Sequence, residues 1–550
     1  MSSGRRHVLH PFHTIMSVTL SRVILEGKIV IITGGASGIG AEAARLFTEH
    51  GARVVITDVQ DKLGRKVAVS IGKDKVSYVH CDVREETEVE NAIKFTVEKH
   101  GRIDVLFSNA GIPEPLLDIR DLNLEAFDRV MAVNVRGAAA FIKHGARAMV
   151  EKKTRGSIVC TTSVASVIAG TVVPHGYTAS KHALVGLIRS AAGDLGKHGI
   201  RVNGVAPFGV ATPLVCEGYK KEASEIEEIF SETANLKGIV LKARHVADAA
   251  LFLASDDSAY VSGHNLLVDG GFSVCLNNVV GTQVCSSSLA SPLCLLEGKI
   301  VVITGGASGI GAEAARLFTE HGARVVITDV KDELGRNVAV SIGEDKVSYF
   351  HCDVRKETEV ESAVKFAVEK HGRIDVLFSN AGVPEPLLDI RDLNLEAFDR
   401  VMAVNVRGAA AFIKHVARAM VEKKTRGSIV CTTSVASVIA GTVVPHGYTA
   451  SKHALVGLIR SAAGDLGKHG IRVNGVAPFG VATPLVCEGY KIKMEASELE
   501  EIFSETANLK GIVLKARHVA EAALFLASDD SAYVSGHNLL VDGGFSVVKN

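Results

Sequence analysis

The chain carries one sequence twice. The segment LEGKIVIITGGASGIGAEAARLFTEHGARVVITDV begins at Leu25, and it returns at Leu296 with one change in its first strand. The copies stay in register at a period of 271 residues until a two-residue insertion near 491–494, then run together to the end. A repeat of this length is a duplicated domain, because stacked repeats recur every roughly 20–50 residues. Each copy is long enough to bury its own core as a single α/β domain. The expected division is therefore a first domain over 25–274, a linker over 275–295 and a second domain over 296–550.

Two segments fall outside the repeat. Residues 1–24 contain Arg5, Arg6 and Arg22, several Ser and Thr, and no acid. That composition is one of a disordered N-terminus, or of a weak transit peptide to a plastid or mitochondrion. The linker is rich in Ser, Asn and small residues without periodicity. With 61 basic and 61 acidic side chains, the chain offers no electrostatic case for binding nucleic acid or an anionic membrane surface. No apolar run is long enough to span a bilayer. Six of the nine cysteines are repeated pairs (Cys81/Cys352, Cys160/Cys431, Cys216/Cys487), and none forms a CxxC or other metal-ligand spacing. Reduced thiols, a cytoplasmic location and no metal site are the expectation.

Within each copy, short Val/Ile-rich runs alternate with helical ones. Ile29–Thr33, Arg53–Asp58, Val76–His80, Val105–Ser108, 157–163, 202–206 and Asn265–Val268 read as strands. Amphipathic stretches at 86–99, 124–151 and 177–197 read as helices. Continuous apolar runs imply strands buried on both faces, hence a parallel sheet between two helix layers. The fold class is α/β: two doubly wound, Rossmann-type domains in tandem, with ligands at the carboxyl ends of the strands.

The first motif with chemical content is TGGASGIG, at Thr33–Gly40 and again at Thr304–Gly311. It follows a strand and opens a helix, the context that gives a glycine pattern meaning. Glycines let the backbone approach a pyrophosphate, and the helix N-terminus offers free N–H groups and partial positive charge. The next strand ends in Asp58, or Asp329 in the second copy, 18 residues past the last glycine. An acid there accepts bonds from the adenosine ribose hydroxyls and repels a 2′-phosphate, so the cofactor expected is NAD.

The second motif carries the reaction. Ser163 ends a strand, Tyr177 follows 14 residues later, and Lys181 lies one helical turn beyond it. A free tyrosine titrates near 10 and is a poor base at neutral pH. A nearby ammonium and a nicotinamide cation are expected to lower it, so that tyrosinate takes the hydroxyl proton of an alcohol while hydride leaves the carbon. Ser163 would hold the same oxygen.

Taken in order, TGGASGIG, CDV at Cys81–Val83, SNAG at Ser108–Gly111, MAVNVRG around Asn134, and Ser163, Tyr177 and Lys181 resemble the short-chain dehydrogenases/reductases. The resemblance covers nearly all of both copies. It implies a catalytic tetrad of Asn134, Ser163, Tyr177 and Lys181 in the first domain, and of Asn405, Ser434, Tyr448 and Lys452 in the second. It implies cofactor contacts from Gly34, Ser37, Gly38, Ile39, Gly40, Asp58, Asp82, Val83, Asn109, Gly111, Pro207 and Thr212. Their counterparts are Gly305, Ser308, Gly309, Ile310, Gly311, Asp329, Asp353, Val354, Asn380, Gly382, Pro478 and Thr483. Asn134 is expected to bond a helix carbonyl, Asp82 to contact adenine, and Thr212 to hold the carboxamide. Two departures stand out: Ser108 replaces the first Asn of the usual NNAG, and Phe208 stands where many members carry glycine, narrowing the nicotinamide side of the pocket.

HGIRVNGVAPFGVATPL and YVSGHNLLVDGGFSVV are most similar to plant members of the family that act in secondary metabolism. The implied reaction is NAD-dependent oxidation of a secondary alcohol to a ketone, or the reverse, on a small apolar terpenoid or lignan. The alternatives are an NADP-dependent carbonyl reductase and a non-catalytic NAD-binding scaffold. The segment after Thr212 reads as a lid. Ile112, Pro113, Val164, Ala165 and Cys216 are candidates for the pocket wall, and His175 reads as a turn histidine. Family members pair through the helices that correspond to 124–151 and 177–197, so a duplicated chain is expected to form an internal pseudo-dimer. Self-association to a tetramer-like assembly would follow.

Overall fold

The computed structural model describes residues 23–169, 173–233, 240–259, 261–270, 272–274, 295–441, 444–489, 495–506, 513–532, 534–543 and 545–546. The segments 1–22, 275–294 and 491–494, which hold nearly all of the N-terminal tail, the linker and the insertion, lie outside the described residues.

In the first copy the order is β1 (Ile29–Thr33), α1 (Gly38–Glu49), β2 (Arg53–Asp58), α2 (Asp61–Ile71), β3 (Val76–His80), α3 (Glu86–His100) and β4 (Val105–Ser108). Then come α4 (Leu124–Met131), α5 (Ala138–Glu151), β5 (Ser157–Thr161), α6 (His175–Leu195) and β6 (Arg201–Pro207). The segment after Thr212 forms α7 (Pro213–Tyr219) and α8 (Ala223–Thr233), followed by α9 (Ala243–Ala254) and β7 (Asn265–Val268). The second copy repeats this as β8 (Ile300–Thr304), α10 (Gly309–Glu320), β9 (Arg324–Asp329), α11 (Asp332–Ile342), β10 (Val347–His351), α12 (Glu357–His371) and β11 (Val376–Ser379). It continues through α13 (Leu395–Met402), α14 (Ala409–Glu422), β12 (Ser428–Thr432), α15 (His446–Leu466), β13 (Arg472–Pro478), α16 (Pro484–Gly489), α17 (Ala496–Thr506), α18 (Ala516–Ala527) and β14 (Asn538–Val541).

Each copy forms one parallel seven-stranded sheet, ordered β3-β2-β1-β4-β5-β6-β7 and β10-β9-β8-β11-β12-β13-β14. The order reverses between β1 and β4, and between β8 and β11, which opens a crevice at the carboxyl ends of the strands. The central strands are buried on both faces, as β1 is at all five positions, which explains their unbroken Val/Ile runs. One face of the first sheet packs on α1, α2 and α9, where Phe47, Val54, Ile56 and Leu251 meet. The other face packs on α3 to α6. There the apolar core does not stop at the repeat boundary: one contiguous cluster contains Phe141, Leu187 and Ile188 together with Phe412, Leu458 and Ile459.

The reason is that α6 and α15 lie against each other. Gly186 sits so close to the His453 ring that a Cβ there would be 2.9 Å from Nδ1, and Gly457 meets His182 in the same way at 2.7 Å. Polar ties repeat with pseudo-two-fold symmetry, as an isologous contact requires. Arg136 pairs with Asp399 and Arg407 with Asp128, both at 2.8 Å, and Arg147 and Arg418 reach Asp392 and Asp121 at 3.0 and 3.2 Å.

The stretch expected as one helix over 124–151 is interrupted. Between α4 and α5 the backbone makes a π-helical segment, Ala132–Gly137, with Asn134 inside it. A π turn adds a residue to the helical circuit and re-aims the side chains it carries.

Candidate active site

The glycine-rich turn follows β1. Gly34 and Gly38 have φ of +65° and +52°, values that only glycine adopts readily. A Cβ on Gly40 would lie 2.2 Å from the Gly34 carbonyl oxygen, so the turn is closed too tightly for any side chain. Ser37 stands at the N-cap of α1 without a side-chain cap bond, leaving Ile39 and its neighbours in a helix N-terminus open to an anion. Asp58, at the end of β2, is turned toward this loop. Its Oδ2 accepts the Ala36 N–H at 3.1 Å and its Oδ1 the Gln60 N–H at 3.0 Å. Each oxygen keeps a lone pair for a hydroxyl donor. Asp329 repeats this with Ala307, Val330 and Lys331. Bare N–H groups, a glycine cradle and a pinned carboxylate fit a dinucleotide, and Gly305, Ser308, Gly309, Ile310 and Gly311 repeat the cradle.

Other expected contacts fall along the same edge. Asn109 ties three strand ends together: Nδ2 donates to the carbonyls of Thr33 and Gly34, both at 3.2 Å, and Oδ1 accepts from Thr161 Oγ1 at 2.9 Å. Asn380 does the same in the second copy. Thr212 stands at the N-cap position of α7, beyond Pro207's strand, and lies over the glycine turn, since a Cβ on Gly38 would be 3.2 Å from its Cγ2. Thr483 relates to Gly309 in the same way, beyond Pro478. The Asp82 carboxylate is already paired: Arg84 Nη2 lies 2.6 Å from Oδ2, and that bond holds its pKa below the ordinary carboxylate range. Asp353 and Arg355 form the same pair. Val83 and Val354 spend their side chains on Gly137 and Gly408 of the π segments.

The tetrad residues come together from three elements, the π segment, the turn after β5, and α6. Asn134 is buried, and its side chain forms a reciprocal pair with the Ile112 backbone: Oδ1 accepts the N–H at 2.8 Å and Nδ2 donates to the carbonyl at 3.0 Å. The expected helix-carbonyl bond is not made directly. Nδ2 donates instead to Ser180 Oγ at 3.0 Å, and that hydroxyl donates to the Tyr177 carbonyl at 2.7 Å. Asn405, Val383, Ser451 and Tyr448 repeat the relay. Strand β5 stops at Thr161, earlier than expected, and Ser163 caps a single 3-10 turn over Val164–Ser166. Tyr177 and Lys181 share a face of α6. Gly111 passes close to both sides of the group: a Cβ there would be 3.3 Å from Asn134 Oδ1 and 3.5 Å from Lys181 Nζ. Gly382 holds that place beside Asn405 and Lys452.

The electrostatics differ from expectation. Loss of solvent raises the Tyr177 phenol, against the Ser163 hydroxyl that bonds it, and pushes Tyr448 up to about 12. Burial also pulls Lys181 and Lys452 down to about 8. The Lys181 Nζ lies 5.3 Å from the tyrosine ring centroid and donates to the Thr161 carbonyl at 2.7 Å. The chain's own groups thus favour a neutral phenol, and a positive charge brought into the crevice would act against that.

Three features were missed in the sequence. Glu114 is buried, and Oε1 accepts the Gly176 N–H at the start of α6. Burial raises its pKa and lifts its counterpart Glu385 to about 7. The one signal was its frame, an acid between Pro113 and Pro115 without a basic neighbour. Phe208, expected to narrow the pocket, stacks on Phe272 at 4.3 Å and meets Phe230 of α8 at 5.7 Å, so it ties the segment after Thr212 to the end of the domain. Phe479, Phe545 and Phe503 repeat the cluster. His175, read as a turn histidine, is buried against the other copy.

Among known proteins, the sequence profile of the family described as enoyl-(acyl carrier protein) reductase matches residues 34–273 and again 305–546. Short-chain dehydrogenase reductase 3b of Arabidopsis thaliana is 76% identical over 254 residues, 46% of this chain and 98% of that protein. Momilactone A synthase of Oryza sativa subsp. japonica is 52% identical over 267 residues, 48% of this chain and 96% of that protein. Each relative corresponds to one copy of the repeat. The N-domain with NADP of a bacterial malonyl-CoA reductase matches 95% of this chain and 99% of that one at a TM-score of 0.70 and 19% identity, a likeness of fold alone.

Proposed function

The chain belongs to the short-chain dehydrogenase/reductase family of oxidoreductases, duplicated in tandem, and from that premise we propose that each of its two domains, 25–274 and 296–550, is a complete NAD-dependent alcohol dehydrogenase. The substrate is a secondary alcohol on a small apolar plant metabolite of the terpenoid or lignan kind, interconverted with its ketone. The observation that carries this reading is that all four tetrad side chains gather at the crevice beside the glycine cradle in both copies.

Bound NAD supplies a hydride acceptor. The glycine cradle and the N-terminus of α1 would hold its pyrophosphate, Asp58 its adenosine ribose, and Thr212 its carboxamide. The alcohol oxygen would be held by Ser163 and give its proton to Tyr177 in its phenolate form, while the carbon gives up hydride, with both bonding electrons, to that acceptor. Lys181, fixed by the Thr161 carbonyl, favours negative charge on the phenol oxygen, and the relay through Ser180 fixes the helix that carries both. NAD rather than NADP is supported by Asp58 and Asp329, whose charge opposes a 2′-phosphate. The domains act as an internal pseudo-dimer, supported by the bonds between α6 and α15, and chains associate further into a tetramer-like assembly in the cytoplasm.

The test is turnover of a panel of terpenoid and lignan alcohols by the full chain with each cofactor. Tyr177→Phe is expected to silence the first site and Tyr448→Phe the second, each leaving substantial activity and the double variant none. Higher kcat/KM with NADP in both single variants would overturn the cofactor assignment. A single variant as inactive as the double would overturn the two-site reading.

A further inference from the structure

Both walls of each candidate active site are tied to the opposite domain. His175 opens α6 two residues before Tyr177. Its Nε2 lies 2.9 Å from Asp465 Oδ2 and its Nδ1 2.6 Å from Ser461 Oγ, both on α15. The same Asp465 oxygen accepts the Ile119 N–H at 2.9 Å. Arg460, beside Ser461, donates to the Val167 carbonyl at 3.0 Å, in the loop that follows Ser163. The second site has the mirror arrangement. Asp194 meets His446 and the Ile390 N–H, both at 2.9 Å, Ser190 meets His446 at 2.6 Å, and Arg189 donates to the Val438 carbonyl at 3.0 Å.

These groups are shut away from water: His175, Ser461 and Asp465 are 4%, 1% and 7% exposed. An imidazole with both nitrogens engaged cannot turn, and it sits in the helical turn that sets the direction of Tyr177. Burial works to raise the Asp465 carboxyl, but the bonds from His175 and Ile119 outweigh it and leave it below its usual range. The buried charge therefore depends on the histidine it fixes, and removing either partner strands the other.

We propose that Arg460, Ser461 and Asp465 are positioning residues for the first active site, and Arg189, Ser190 and Asp194 for the second, so that each domain completes the site of the other. This rests on the tyrosine role proposed above. The competing account is that the same bonds merely hold the domains together. Pseudo-symmetry separates the two, because cutting either tie loosens the pairing equally, whereas positioning acts only across the interface.

The experiment uses the full chain carrying Tyr448→Phe, in which only the first site turns over. Asp465→Ala cuts the tie to the active tyrosine, and Asp194→Ala the equivalent tie to the silenced one. Asp465→Ala is expected to lower kcat about tenfold more than Asp194→Ala does, with little change in KM for NAD, since misplacement of a reacting group is felt mainly in the chemical step. Asp465→Asn, which keeps an acceptor oxygen, should recover part of the loss. Equal effects of the two alanine variants would overturn the proposal.

A second measurement needs no activity. The segments around Tyr177 and Tyr448 are identical in sequence, but Tyr448→Phe gives their peptides different masses. Hydrogen exchange by mass spectrometry should then quicken in the Tyr177 peptide with Asp465→Ala and in the Phe-bearing peptide with Asp194→Ala. Equal quickening of both peptides by either variant would again overturn the proposal. If the parent oxidises no alcohol, the proposed activity fails, and the exchange pattern still decides the positioning.

Discussion

At the scale of single residues, the site is governed by what burial does to charge. Tyr177, Lys181 and Glu114 are all shifted toward their neutral forms by loss of solvent. Glu385 shows the consequence for stability. Its carboxyl is lifted from an ordinary 4.5 to about 7, burial outweighing the Gly447 N–H bond that opposes it. The folded chain therefore keeps a proton that the unfolded chain releases above 4.5. Stability from this group is full below 4.5 and is lost as pH rises through 7, a swing of about 3 kcal/mol. Glu385→Gln keeps an acceptor for the Gly447 N–H and removes the ionisation. It should raise the unfolding midpoint at pH 8 and change it little at pH 5, as read by thermal or urea unfolding. The same shift at both pH values would contradict this assignment of the charge.

At the scale of elements, most of the fold was legible because buried parallel strands must be apolar on both faces, and β1, β2 and β4 advertise this. The glycine turn and the Tyr–Lys spacing were legible because each requires particular residues at fixed spacing. The π segment around Asn134 was not, since MAVNVRG has the same helical periodicity as its flanks. The role of His175 was hidden for another reason: its partners lie 286 and 290 residues away in the chain, and no local pattern reports them. The repeat itself supplies one experiment in packing. Gly145 of α5 is replaced by Val416 in α14, and Ile93 of α3 by the smaller Val364 in α12. A Cβ on Gly145 would be 2.0 Å from Leu106 Cδ1 and 3.8 Å from Ile93 Cδ1. Gly145→Val alone should overpack the first domain and cost about 1–3 kcal/mol. Adding Ile93→Val, as the second domain has it, should recover part of that. Unfolding measurements on the four corners of a double-mutant cycle test this, and simple additivity would argue against the pairing.

At the scale of the whole molecule, the two copies behave as one packed body because α6 and α15 touch through glycine. His182 and His453 at this crossing are held down to about 3 by burial and by the facing Arg460 and Arg189, so they stay uncharged through the physiological range. Gly186→Val with Gly457→Val puts side chains where the rings now stand and should part the domains. The expected result is a radius of gyration larger by about 5 Å or more in small-angle scattering, as two tethered bodies replace one, while the far-ultraviolet spectrum is kept. An unchanged scattering curve would mean that the glycines do not set the contact.

The self-complementary face of α6 and α15 has one more consequence. In an assembly of identical chains, every substitution is made on both sides of the axis at once, so no half can change alone. Here each side has its own stretch of gene. Arg189 and Arg460, or His175 and His446, are equal in shape but separate in inheritance, and a single altered codon reaches one crevice and spares the other. The chain keeps the mechanics of a symmetric pair while allowing its halves to become two different catalysts.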